Sequence, residues 1–192
     1  MNRQAGSAAL ALSVLFTAGC ASMLPAAGCM AFVRGGQLCL LPPAQLPPLD
    51  GAHMVTIDHD GTQQTFIGQL HIDARVIRLA GSSLLGPGLF SVSYNGRTLQ
   101  SEPAHGPQRA DLLIIMLELV MARQRALQPA LRGMRLTQTT AADGTRVREL
   151  FAGGRRVAHI EISTGPLRQA TIRFDIPPAH LSVLMQPLAA RP

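Results

Sequence analysis

The residues of this chain best suited to proton transfer or metal binding are its six histidines, His53, His59, His71, His105, His159 and His180. None stands in an HExxH, HxH or Cys-His spacing, so no metal site is expected. His71 with Asp73, and His159 with Glu161, lie two residues apart, which places each pair on one face of a strand where a carboxylate could orient an imidazole. Such pairs also arise incidentally on polar strand faces. Asp58 and Asp60 flank His59 and could hold a cation, but Gly61 follows directly and the segment reads as a hairpin tip. There is no Gly-x-Ser-x-Gly elbow and no phosphate-binding glycine pattern. No catalytic residue and no cofactor are expected, and binding is favoured over catalysis.

One carboxylate stands apart. Leu112 to Met121 is apolar all round except for Glu118, with Asp111 placed to complement the N-terminus of a helix and Arg123 and Arg125 near its end. Such a helix must be buried on nearly every side or close over something apolar. At ten residues it is ~15 Å long, half of what a bilayer requires. Glu118 reads either as a hydrogen-bonding group in a ligand cavity or as the mark of a solvent-facing stripe; the second is favoured, because an unpaired buried carboxylate is costly.

The elements that must position these groups follow from the rest of the chain. Residues 1–19 read as an export signal, with basic Arg3, an apolar run from Ala8 to Phe16, then Thr17-Ala18-Gly19 before Cys20. Small residues followed by cysteine match the bacterial lipobox, so Cys20 is expected to carry the lipid anchor; the alternative is a secreted protein cleaved near Ala18 or Ala21. Residues 20–51 would form the lipidated N-terminus and a proline-rich tether, since residues 40–50 hold four prolines and cannot form a regular hydrogen-bond ladder. Within this stretch Cys29 and Cys39 either close a disulfide, as an oxidising periplasm permits, or remain free thiols.

Residues 52–192 are long enough for a single domain. Its pattern is one of short alternating runs separated by Asp60-Gly61, Asn95-Gly96, Asp143-Gly144 and Gly153-Gly154. Asn-Gly and Asp-Gly supply the positive φ angles of tight hairpins, so antiparallel strands are expected on both sides of the helical excursion. All 17 basic residues are arginine against 11 acids, for a net charge of +6. The arginines are scattered one or two per element, which suits solvated faces and attraction to anionic headgroups. With one Tyr, six Phe and no Trp, stacking platforms for nucleic acid are lacking.

The order of lipobox, consecutive hairpins, a Leu-Gly loop, a helical excursion and closing strands resembles the outer-membrane lipoprotein receptor LolB and its LolA-like relatives. It is closer still to an uncharacterised lipoprotein family found near aryl-polyene and fatty-acid-type gene clusters. Ser83-Leu84-Leu85-Gly86 looks like the LolB Pro-Leu-Gly loop, Ala110 to Met134 like its covering helices, and Asp143-Gly144-Thr145-Arg146 and Gly154-Arg155-Arg156-Val157 like its closing hairpins. The resemblance implies an α+β fold, mainly antiparallel β: a curved half-open β-barrel of about 7–11 strands covered by a central helical excursion. It further implies an apolar cavity for an acyl-type or polyene-type ligand or a membrane lipid, and a loop, Leu84 and Leu85, that touches the membrane. Expected cavity residues are Phe66, Leu70, Ile72, Phe90, Val92, Leu113, Leu117, Val120, Ile160, Ile172 and Phe174, all of which could equally be ordinary core.

The function expected from sequence is therefore a lipoprotein anchored through Cys20 to the periplasmic face of the outer membrane, binding or transferring a lipid-like ligand without covalent catalysis. The alternatives are a structural or assembly lipoprotein docking to an envelope partner and, less favoured, a hydrolase of acylated substrates.

Overall fold

The computed structural model describes residues 28–103 and 110–188. The expected signal segment, Cys20 and His105 lie outside the described residues. An N-terminal hairpin, β1 (Cys29–Val33) and β2 (Gly36–Cys39), leads through a 3-10 turn at Pro43–Gln45 into a first meander. That meander comprises β3 (Leu49–His59), β4 (Thr62–Ile72), β5 (Ile77–Ser82), β6 (Gly88–Tyr94) and β7 (Leu99–Pro103). Two helices follow, α1 (Ala110–Met121) and α2 (Gln124–Ala130), then the two-residue β8 (Leu131–Arg132). A second meander is built from β9 (Met134–Thr140), β10 (Arg146–Ala152), β11 (Arg155–Ile162), β12 (Ile172–Ile176) and β13 (Leu181–Pro187).

The two meanders make one ten-stranded antiparallel sheet in the order β7-β6-β5-β4-β3-β13-β12-β11-β10-β9. The fold is thus mainly antiparallel β with two helices. The sheet is open, with β7 and β9 as its unpaired edges among the described residues. Its seam is the pairing of β13 with β3, in which Val183 faces Ile57 and Met185 faces Val55. The helices join the two edges across one face: α1 packs on β6 and β7, and α2 on β8 and β9.

Tight turns fix the register where the sequence suggests they should. His59 pairs with Thr62 across Asp60 (φ 52°) and Gly61 (φ 77°), and the Asp58 carboxylate accepts the Gly61 N–H at 3.1 Å. The Asp58 carboxylate thus closes its own hairpin tip. Gly153 (φ 54°) and Gly154 (φ 79°) turn β10 into β11 in the same way. With register fixed, alternation buries Phe66, Leu70 and Ile72 of β4, Ile77 and Leu79 of β5, Phe90 and Val92 of β6, and Ile172 and Phe174 of β12 on the face beneath the helices. Phe66 and Phe90 meet edge to face at 5.4 Å.

The described part of the expected tether is packed against the body instead of standing free. Leu38, Leu41, Pro43 and Leu46 are buried, β2 pairs with β8, and Phe32 sits edge to face with Phe174 at 6.3 Å. The prolines exclude a ladder, as expected, but the leucines between them carry enough apolar surface to hold the segment as a strap over the helices. The domain accordingly begins well before residue 52. Cys29 and Cys39 are cross-strand partners in the β1–β2 hairpin and are joined by a disulfide.

Candidate functional site: an apolar cavity under a doubly held helix

Between α1 and the sheet lies a cavity of ≈ 50 Å³. The sheet contributes Leu49, His53 and Val55 from β3, Phe66 and Leu70 from β4, Leu79 from β5, Ile172 and Phe174 from β12, and Val183 and Met185 from β13. The roof is Leu113, Met116, Leu117, Val120 and Met121 of α1, with Leu167 closing one side. Of the expected cavity residues, Phe66, Leu70, Leu113, Leu117, Val120, Ile172 and Phe174 line this space. Ile72, Phe90, Val92 and Ile160 are buried but lie outside it, in the surrounding core.

Among the described residues His53 is the one polar side chain in that lining, and sequence reasoning passed over it. It is 2% exposed, and neither ring nitrogen has a hydrogen-bond partner among the described residues. Desolvation lowers its pKa from 6.5; the Leu167 backbone opposes this from outside hydrogen-bonding geometry. The usable signal was alternation: β3 turns Leu49, Gly51, His53 and Val55 to the same face.

The roof is fixed by two buried ionisable groups. Arg148 of β10, 2% exposed, donates from Nη1 to the Leu119 and Val120 carbonyls (2.5 and 3.0 Å), from Nη2 to the Ala122 carbonyl (2.7 Å) and from Nε to Gln138 Oε1 (2.8 Å). It thereby satisfies the last carbonyls of α1 and opposes the negative end of the helix. Burial, with neighbouring Arg146 adding repulsion, lowers its pKa to about 10, so the guanidinium stays charged at neutral pH.

Glu118 is fully buried, which corrects its expected place on a solvent-facing stripe. The strap covers that side of α1, and both carboxyl oxygens lie within reach of the Leu41 N–H, at 3.2 and 3.1 Å. Desolvation raises the carboxyl pKa to about 8, with the Leu41 N–H pulling weakly the other way.

The remaining polar groups lie away from the cavity. On the opposite, solvated face His71 Nδ1 meets Asp50 at 2.6 Å and its Nε2 meets Asp73 at 3.4 Å. Asp50 and then Asp73 raise the imidazole pKa, while the Arg75 and Val76 N–H groups lower that of Asp73. His159 Nε2 meets Glu161 at 3.1 Å. Among the described residues no three His, Cys, Asp or Glu side chains converge as metal ligands, and no helix is long and apolar enough to cross a membrane.

The β5–β6 loop is unlike the rest of the surface. Ser83 N–H donates to the Pro87 carbonyl (2.9 Å) and Gly86 N–H to the Ser83 carbonyl (3.0 Å), closing a tight tip. It leaves Leu84 61% and Leu85 94% exposed. These leucines therefore do not pack beneath the helix.

No curated protein matches the sequence. The family model described as "Protein of unknown function (DUF3261)" matches residues 51–189, which spans both meanders and the helices between them, and the chain belongs to that family.

Proposed function

We propose that this is a lipoprotein of the outer membrane, facing the periplasm and anchored through Cys20, that binds or hands over an acyl-type hydrophobic ligand without covalent catalysis. The observation that carries the reading is the cavity: sixteen lining residues, of which all but His53 are apolar, enclosed between a helix and a sheet. Such a lining excludes water and offers an alkyl chain what its transfer from water rewards. Among the described residues no serine or carboxylate lines it, which favours binding over hydrolysis in this reading.

Ligand sites for drug-sized molecules run to roughly 300–1,000 Å³, so this reading requires the ≈ 50 Å³ space to widen as a chain enters, and a nearly filled interior with an exposed leucine tip is what the docking alternative expects. Met116, Met121 and Met185 are unbranched and adaptable, and can repack around a chain where β-branched residues would not. In this reading the open sheet, which is not curled into the expected half-barrel, is the floor of the site, α1 is its cover, and the Leu84–Leu85 tip touches the bilayer during transfer.

Native mass spectrometry of the full chain, extracted gently from membranes, is expected to show copurified acyl species. A consistently empty protein would sink the carrier reading and favour a docking lipoprotein that uses the same leucine tip on an envelope partner. Replacing both leucines, Leu84→Ser with Leu85→Ser, is expected to slow uptake of a fluorescent fatty acid from vesicles about tenfold or more. Each leucine inserted from water contributes roughly 1.5 kcal/mol or more, and tenfold is 1.4 kcal/mol. Because both side chains are exposed, the melting temperature should stay within about 2 °C. Unchanged uptake would remove the loop from the transfer step.

A further inference from the structure

We propose that His53 is the anchor for a polar head, so that the cavity's ligand is a single-chain amphiphile ending in a carboxylic acid or hydroxyl, and not plain hydrocarbon. This rests on the acyl-binding reading and narrows it to a ligand class.

The argument begins with what His53 lacks. An imidazole 98% removed from solvent, with Nδ1 and Nε2 both unpartnered, lowers the stability of the domain and contributes no contact that a leucine would not. An ordered water would find few partners: among the described residues every other lining side chain is apolar, which leaves the Leu167 backbone beside the ring, and a buried water needs two to four polar partners. His53 is part of the cavity lining, so a polar group entering that space is the partner its ring could take.

The chemistry of that partner follows from the state of the ring. Desolvation keeps the imidazole neutral, with one N–H donor and one bare nitrogen acceptor. A carboxylic acid or alcohol O–H can donate to the bare nitrogen, and an acid carbonyl or hydroxyl oxygen can accept from the N–H. A hydrocarbon can do neither. Gly51, on the same face of β3, leaves room beside the ring for about one carbon: an added Cβ would stand 3.8 Å from His53 Cε1 and 3.9 Å from Arg168 Cβ. The adjoining 3-10 turn Leu167–Gln169 covers this end of the cavity, while Phe66, Leu70 and Leu79 supply the apolar remainder. A polar end and an apolar end are thus distinguished within one enclosed space.

The test compares dodecanoic acid, 1-dodecanol and dodecane as ligands of the full chain and of its His53→Leu and His53→Gln variants. His53→Leu should weaken binding of the acid and the alcohol at least tenfold and leave dodecane within twofold. It should also raise the melting temperature of the empty protein by a few degrees, because it removes two unpaired buried polar atoms while keeping an apolar group of similar size. His53→Gln, which still donates and accepts, should recover part of the acid affinity. Equal binding of dodecanoic acid by wild type and His53→Leu would overturn the anchor while leaving acyl binding intact. Failure of wild type to bind any of the three would overturn both. Independently of any variant, the imidazole ¹⁵N resonances of His53 should move when dodecanoic acid is added and stay in place with dodecane; unmoved resonances with the acid would also overturn the anchor.

Discussion

Arg148→Met is expected to destabilise the domain by about 3–5 kcal/mol, the cost of a few buried carbonyls left without donors at roughly 1–3 kcal/mol each, and a large share of the 5–15 kcal/mol that holds a typical domain together. Methionine fills similar volume, so the loss would come from polar atoms. The carbonyls of Leu119, Val120 and Ala122 would lose their buried donor, and α1 would lose the positive charge at its C-terminal end. Arg148→Lys keeps the charge but not the planar fork, and cannot reach three carbonyls and Gln138 together; an intermediate loss is expected. Urea unfolding of the purified protein gives both values from the midpoint shift at unchanged slope. A loss below about 1 kcal/mol for the methionine variant would show that the carbonyls find other partners. Because Arg148 joins β10 to the roof of the cavity, hydrogen exchange in the last turn of α1 should rise more than exchange in β4.

Local chemistry made the hairpins legible and non-local packing hid the rest. Asp60-Gly61 and Gly153-Gly154 demand positive φ, so the β3–β4 and β10–β11 turns could be placed from the chain alone. By contrast β13 gives a weak signal: it is seven residues long and follows Pro177, Pro178 and the left-handed His180. Its importance lies in pairing with β3 across more than a hundred residues, which no local pattern reports. The apolar helix was evident as a buried element, and seven of the eleven expected cavity residues do line the space beneath it. The other four share their periodicity but sit elsewhere on the same face, a difference that depends on where α1 crosses the sheet.

The two most consequential polar residues were obscured for different reasons. Glu118 looked solvent-facing because its cover, the strap at Leu41, lies 77 residues away in sequence. His53 carries no motif spacing, and a single histidine at the head of a strand gives by itself no local sign of which face it takes. Extending the alternation back from Val55 would have turned it inward.

Glu118→Gln should become more stable relative to wild type as pH rises. The carboxyl has a pKa of about 8 in the folded protein against 4.5 for the ordinary group, because burial penalises its charge. Below pH 4.5 the residue is protonated in both states and imposes no ionisation penalty. Between 4.5 and about 8 the unfolded chain releases the proton while the folded chain retains it, so wild-type stability falls, by at most about 1.4 kcal/mol per pH unit. Above about 8 the folded carboxylate is ionised as well and the deficit levels off. His53 acts in the opposite sense, since its lowered folded pKa costs stability as pH falls below 6.5. The difference between variant and wild type cancels that contribution, which makes it the quantity to measure, by urea unfolding at pH 5, 6.5 and 8. Tyr94 faces the same carboxyl; its hydroxyl pKa is raised by burial and then by the Glu118 charge, so it stays neutral over this range and leaves the sign unchanged. A difference that does not grow with pH would mean that Glu118 is ionised in the folded protein at neutral pH. If it does grow, alkaline pH places an unfavourable charge beneath the strap, and exchange of the Leu41 amide should quicken in wild type but not in Glu118→Gln once its intrinsic pH dependence is removed.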